Sequence, residues 1–270
     1  MNTTTDHHIG ENRAVQIGKA RTSANLPLPE VTRSDYRLRL AVTREDLRAA
    51  QLLRFMVFNL ELHEGLEQSY STCLDADRFD AICDHLLVED TRTGEVIGTY
   101  RLQTGLKAAE NLGYYSAQEF DFSPFESLRH EMVELGRACV HNRHRNLIVL
   151  SLLWKGIASY ATSRGCRHLI GCSSLTSQEP AVGIKAYHDM QRYWVREELR
   201  TNPLPSFACE SFEAPTVESP KIPKLLAAYL TLGAKICGPP ALDREFKTID
   251  FLTLLDLHSM PARMIARYLS

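Results

Sequence analysis

The stretch DHLLVEDTRTGEVIGTYRLQT, residues 84–104, constrains the fold more than any other. Two β-rich runs, HLLVED and VIGTYRL, flank Thr-Arg-Thr-Gly, a composition that favours a hairpin. The next strand-like run, MVELGRACV, carries Glu134 and Arg137 among apolar residues, and it leads through a basic hinge, HNRHR, into the apolar helix pattern NLIVLSLLWKGIASYATSRG. That helix is expected to stop at Gly165, where a glycine supplies the left-handed cap conformation. Upstream, YRLRLAV (36–42) alternates as a strand does. TREDLRAAQLLRFMVFNLEL places Leu47, Ala50, Leu53, Val57 and Leu60 at helical spacing behind an N-cap-like Thr43. Downstream, RHLIGCSS and TIDFLTLLDL are expected strands, AVGIKAYHDMQR is an expected helix, and KLLAAYLTLGAKICG is expected to be helical up to a glycine. Strand, helix, hairpin, strand, long helix, strand and helix in that order predict a mixed α/β sheet with helices on both faces.

The chain has 270 residues, 44% of them hydrophobic and 24% charged, which suits one large domain with a sizeable core. Residues 1–35 are polar and aperiodic and are expected to form a mostly disordered tail; the Pro-rich 200–222 region opens a C-terminal extension of about 200–270. A net charge of −2 argues against binding nucleic acid by bulk charge. The opening MNTTTDHHIGENRAVQ has no apolar signal core, no run approaches the roughly 20 apolar residues of a membrane span, and seven scattered cysteines read most simply as reduced thiols of a cytoplasmic protein. There are no internal repeats, no nucleophile elbow and no dinucleotide or phosphate-loop glycine pattern. Cys83/His85 and Cys139/His141 are spaced more tightly than zinc ligands usually are, and no metal is expected.

Charges inside strands carry the functional signal, because a buried charge is costly unless it is paired. Glu134 and Arg137 either face solvent or pair structurally, which spacing alone favours, or they mark an active-site strand; three apart, they would face opposite ways in a regular strand, and a bulge, expected at Gly136, would bring both to one side. Arg54 sits beside the apolar stripe of the first helix, and Arg101 near the end of VIGTYRL. Each is either a snorkelling side chain or a bidentate carboxylate clamp. Asp77 and Asp80, in the acidic connector DADRFD, are either solvated acids or an attraction for an amine. Arg143, Arg145 and Asn146 precede the long helix and form either a solvated turn, the simpler reading, or an anion site at the helix N-terminus.

The order Arg54-x-x-x-Phe58, Asp77-x-x-Asp80, Gly98-x-x-Arg101-Leu102 and Glu134-Leu-Gly-Arg137 resembles the acyl-homoserine-lactone synthases, over roughly residues 36–145. A broader resemblance covers about 40–260. CDHLLVEDTRTGEVIGTYRL, GYYSAQEFDF, VELGRACVHNRHRN, LLWKGIASY, LIGCSS and YLTLGAKICGPPALDREFKTIDFLTLLD are similar to the ornithine-lipid-type acyltransferases, often labelled hemolysin-like. The connector LEQSYSTCLDAD has no tryptophan, unlike the signalling enzymes, which argues against S-adenosylmethionine as substrate.

This resemblance implies a GNAT-like domain over 36–270, α/β (α+β) with a mostly antiparallel central sheet. It implies an N-acyltransferase moving a 3-hydroxyacyl chain from acyl carrier protein to the α-amine of an amino acid, ornithine first, to give lyso-ornithine lipid. The alternatives are an N-acyl amino acid synthase acting on glycine or another amino acid, and a non-catalytic acyl-carrier or lipid-binding protein. No cofactor is expected to be bound; the acyl-phosphopantetheine thioester of acyl carrier protein is the donor. The implied partners also include a transient membrane-surface contact and a second O-acyltransferase in the pathway, but no nucleic acid. Glu134 would be the base, its pKa raised by burial. Arg137 would orient Glu134 or anchor the donor. Arg54, Phe58, Asp77, Asp80 and Arg101 would bind the acceptor, or the arginines would brace the acids. Arg143, Arg145 and Asn146 would take the pantetheine phosphate, and their basic rim would suit an acidic carrier protein.

Overall fold

The hairpin forms where its turn chemistry places it. Strands β3 (Asp84–Asp90) and β4 (Val96–Thr104) pair antiparallel, and Gly94 takes the left-handed conformation in the loop between them. The molecule is described from a computed structural model, which covers residue 28, residues 30–209 and residues 218–268. The expected tail therefore lies outside the described residues except at its end. There β1 (Val31–Arg33) pairs with β2 (Tyr36–Leu40), so strand structure begins before the expected boundary at 35.

The sheet runs β1-β2-β3-β4-β5-β6-β9-β7, with β8 also on β9. The added members are β5 (Met132–Val140), β6 (His168–Leu175), β7 (Lys235–Ile236), β8 (Ala241–Asp243) and β9 (Thr248–Asp256). Every pair is antiparallel except β5 with β6. Alternation then divides the two faces. Tyr100 and Leu102 of β4 join the core beneath α3 (Leu147–Ser163), whose Leu152, Leu153 and Ile157 pack there with Leu86 and Val88. Arg101 and Gln103 point the other way, beneath α1 (Arg44–Arg54), which Thr43 and Asp46 start with a reciprocal capping box. From Phe55 to Glu61 that helix widens to π geometry. The remaining helices are α2 (Gly105–Glu110), α4 (Pro180–Asp189), α5 (Lys224–Leu232), which Gly233 ends in a left-handed cap, and α6 (Ala262–Tyr268).

Two irregularities of β5 make the site. β6 pairs only with Met132, Val133 and Glu134, so β5 continues past Glu134 with β4 on one side and no β6 partner on the other. The bulge is there too, but not at Gly136. Thr99 faces Cys139 and Arg101 faces Gly136, which sets Arg137 and Ala138 of β5 opposite Tyr100 alone. Arg137 itself takes the left-handed conformation, φ 48°, at a cost of about 1–3 kcal/mol. Its ion pairs, described below, hold it there.

β5 and β6 stay in tight contact one residue past their last pair, Glu134 with Ile170. A Cβ at Gly171 would overlap the carbonyl oxygen of Leu135, which is backbone and cannot swing aside. Gly171→Ala is expected to cost about 1–3 kcal/mol and to lower Tm by about 2 °C or more. An unchanged melting curve would show that this seam yields freely.

Candidate active site

Three arginines and three aspartates form one buried lattice behind the bulge. Arg54 of α1 has no exposure; its Nε lies 2.8 Å from Asp75, and its Nη1 and Nη2 donate to Asp80 at 3.0 and 2.6 Å. Arg101 of β4 donates to Asp77 at 2.7 Å and to Asp80 at 3.0 Å. Arg137 reaches Asp77 at 3.4 Å and Asp75 at 3.7 Å. Gln51 Nε2 adds a bond to Asp80 at 2.9 Å. The acids stand in place because Asp77 and Asp80 cap the short 3-10 turn Arg78–Ala81 reciprocally. Rings close the lattice: Arg101 lies 4.9 Å from the Tyr115 centroid, and Arg137 lies 4.2 Å from that of Phe246.

Burial alone would lift the Asp77 and Asp80 carboxyls. The arginines outweigh it and hold both below the ordinary value of 3.8. Burial pushes His85 down to about 4 against the pull of Asp80, so it is neutral at pH 7, with Nε2 3.2 Å from the Asp80 carbonyl. Asp77 and Asp80 thus hold the connector, and Arg54 and Arg101 brace them. None of Arg54, Asp75, Asp77 and Asp80 lines the cavity that lies in front of the lattice.

That cavity, of about 250 Å³, opens where β5 and β6 part and is lined by Phe58, Arg101, Glu134 and Arg137. The bulge brings Glu134 and Arg137 to it together. Glu134 is buried, and its carboxylate accepts from Gln103 Nε2 at 2.6 Å and from the backbone N–H groups of Tyr115 and Ser116 at 2.8 and 2.7 Å. A carboxylate has about four acceptor sites, so about one remains. Arg101 Nη2 and Arg137 Nε are buried without hydrogen-bond partners. The cavity is also lined by Glu119, Asp243 and Asp250, which sequence reasoning missed, and by Cys172. Burial, with the neighbouring acids Asp250 and Asp243, pushes the Glu119 carboxyl far up. Burial carries Asp250 up to about 6. Burial likewise pushes Cys83 and Cys139 up to about 12 and Cys172 well above the thiol range, so none of the three is a ready nucleophile.

Residues 53–155 match a family model described as an acetyltransferase (GNAT) domain. The chain is 34% identical over 251 residues to an L-ornithine N(alpha)-acyltransferase of Brucella abortus (strain 2308), covering 86% of this chain and 88% of that protein. It is 32% identical over 248 residues to a protein of the same name from Rhizobium meliloti (strain 1021), covering 85% and 83%. The chain belongs to the L-ornithine N(alpha)-acyltransferase family. In fold it is similar to the crystal structure of the AHL synthase LasI, with a TM-score of 0.51 at 14% identity, covering 86% of this chain and 94% of that one.

For an acyltransferase of this family, the remaining expected residues lie apart from the cavity. Asn146 caps α3, its side chain accepting from Ile148 N and Val149 N, so it already occupies the helix end expected to take an anion. Arg145 makes a bidentate pair with Glu61 at 2.6 and 2.8 Å. Both it and Arg143 are exposed on the surface and line no part of the cavity. Asp75 is the lattice member absent from the sequence reading. It stands two residues before Asp77 in LDAD, and only the fold shows Arg54 against it.

The lattice sets a pH dependence of stability. A carboxylate held low in the folded state adds stability that is fully present above its ordinary value of 3.8 and is lost as pH falls through the folded value. Asp80→Asn is expected to cost about 3–5 kcal/mol at pH 7 and to flatten the loss of stability below about pH 4. Urea midpoints measured from pH 7 down to pH 3 check both. A variant that loses stability on acidification as steeply as the parent would remove Asp80 from the account.

Proposed function

We propose that this acyltransferase moves a 3-hydroxyacyl chain from the phosphopantetheine thioester of acyl carrier protein to the α-amine of ornithine, giving lyso-ornithine lipid. One observation carries the site assignment: a buried carboxylate, a bulge and a strand edge without a partner meet in a single cavity. The relatives' names support the acceptor. The apolar cleft between β5 and β6 supports a long-chain acyl thioester as donor; acyl carrier protein as its carrier is what the family resemblance implies.

The amine nitrogen attacks the thioester carbonyl carbon. A C–N bond forms, the C–S bond breaks, and the pantetheine sulfur leaves as a thiolate. Glu134 takes the proton from the attacking amine through its remaining acceptor site, directly or through water, and the departing thiolate takes up a proton in turn. Backbone N–H groups of β5 beyond Glu134, with no β6 strand to pair with, face the developing oxyanion. Arg101 Nη2 and Arg137 Nε, unpartnered in the cavity wall, bind the acceptor's carboxylate. The acyl chain runs down the apolar cleft between β5 and β6. There Leu135, Trp154, Leu169, Tyr229 and Leu255 line a small void that shares Leu135 and Cys172 with the main cavity. Direct attack needs no acyl-enzyme, in keeping with the three thiols held protonated.

The purified protein, given 3-hydroxyacyl carrier protein and each amino acid in turn, is expected to form N-(3-hydroxyacyl)ornithine, read by mass spectrometry. Product with acyl-CoA but none with the carrier would replace the donor; product on glycine alone would replace the acceptor. Glu134→Gln turns an amide NH₂ toward backbone donors. It is expected to lose about 1–3 kcal/mol of stability and about 10²–10⁴ in kcat. Near-normal turnover in the folded variant would remove Glu134 from proton transfer.

A further inference from the structure

Glu119, Asp243 and Asp250 reach the cavity from separate segments. Glu119 follows the 3-10 turn Ser116–Gln118, while Asp243 ends β8 and Asp250 lies in β9, which pair side by side. All three are nine-tenths or more buried, at 3%, 6% and 6% exposure. Among the described residues none of them pairs with a lysine or arginine within 4.0 Å. The two arginines of the same cavity are tied to the aspartates of the lattice instead. Asp243 is used locally, its Oδ1 accepting from Glu245 N and Phe246 N. The other two face each other, the raised Glu119 carboxyl donating to Asp250, yet Glu119 Oε2 and Asp250 Oδ1 are buried with no further hydrogen-bond partner. Burying two carboxyl groups against each other is costly even with one proton shared between them. A cation arriving from the cavity would offset that cost.

We propose that Glu119 and Asp250 hold the side-chain ammonium of a diamino-acid acceptor and thereby select it over neutral amino acids of the same chain length. The assignment rests on the acceptor reading above, in which the α-amine faces Glu134 across the same cavity. It makes the cavity bipolar: Arg101 and Arg137 meet the acceptor's carboxylate, and the acids of the β9 wall meet its far end. An organic ammonium suits the site better than a metal ion. Glu119, Cys172 and Asp250 could gather around an ion, but a bare ion would leave most of the cavity of about 250 Å³ unfilled.

The test is the ratio of kcat/KM for L-ornithine to that for L-norvaline, which has the same carbon chain without the ammonium. The parent is expected to prefer ornithine by about 100-fold or more. Glu119→Gln and Asp250→Asn are each expected to cut that ratio at least about tenfold, and the double variant further. Circular dichroism checks that each variant is folded. A ratio unmoved in folded variants would overturn the proposal. A second arm needs no acyl transfer: calorimetric titration of parent and Asp250→Asn with 1,4-diaminobutane and with zinc chloride. Diamine binding that the substitution abolishes supports the ammonium site. Zinc binding lost in the variant, with no diamine binding to the parent, would make the cluster a metal site and overturn the proposal. If the parent acylates no amino acid, the proposed function fails, and the diamine titration still decides this inference.

Discussion

A guanidinium with no access to water, that of Arg54, sets much of this molecule's architecture. Alone in the interior it could not persist, so the connector after the first helix must fold back and deliver Asp75 and Asp80 to it. Those acids, with Asp77, are more charge than one arginine can balance. Arg101 and Arg137 supply the rest. Replacing such a lattice by apolar residues of similar volume can leave a protein as stable or more so, whereas removing one member is costly. Its contribution here is therefore to position. It fixes the face of β4, holds Arg137 in a left-handed conformation that a free chain would avoid, and so keeps the β5 bulge in place behind the cavity.

The cavity exists because β5 and β6 pair for three residues and then part, while β6 stays paired with β9 along its length. The two arms of the sheet bring opposite chemistry to the opening. The arm ending in β5 presents Glu134 and the two arginines; the arm of β8 and β9 presents buried acids without counter-ions. A substrate carrying an amine, a carboxylate and a further cationic group would find a complement for each in one small space.

Much of this was legible in the sequence. Turn chemistry marked the hairpin, helical spacing marked α1 and α3, and charged residues embedded in apolar strands pointed to Glu134 and Arg137. The same signal was present in TIDFLTLLDL, where Asp250 interrupts an apolar run, but it stood without a partner: Glu119 lies far away in sequence and meets it only after β9 has paired with β6. Asp75 was hidden in the same way, one acid among several in an acidic connector until Arg54 is seen against it. The position of the bulge was missed by one residue. Glycine is the default choice for a left-handed backbone, and only tertiary ion pairs move that conformation onto an arginine. The hinge before α3 looked like an anion site because its helix end looked empty, yet Asn146 fills it as a cap and Arg145 turns to Glu61.

The central claim is that amine and thioester meet at the bulged, half-unpaired stretch of β5. A crystal structure with a non-hydrolysable acyl-pantetheine analogue tests it most directly. The analogue's carbonyl oxygen is predicted to lie about 2.7–3.1 Å from a backbone N–H of residues 135–138, with the acyl chain between β5 and β6 and Glu134 beside the carbonyl carbon. An analogue bound with its carbonyl away from β5, and its chain outside that cleft, would contradict the account.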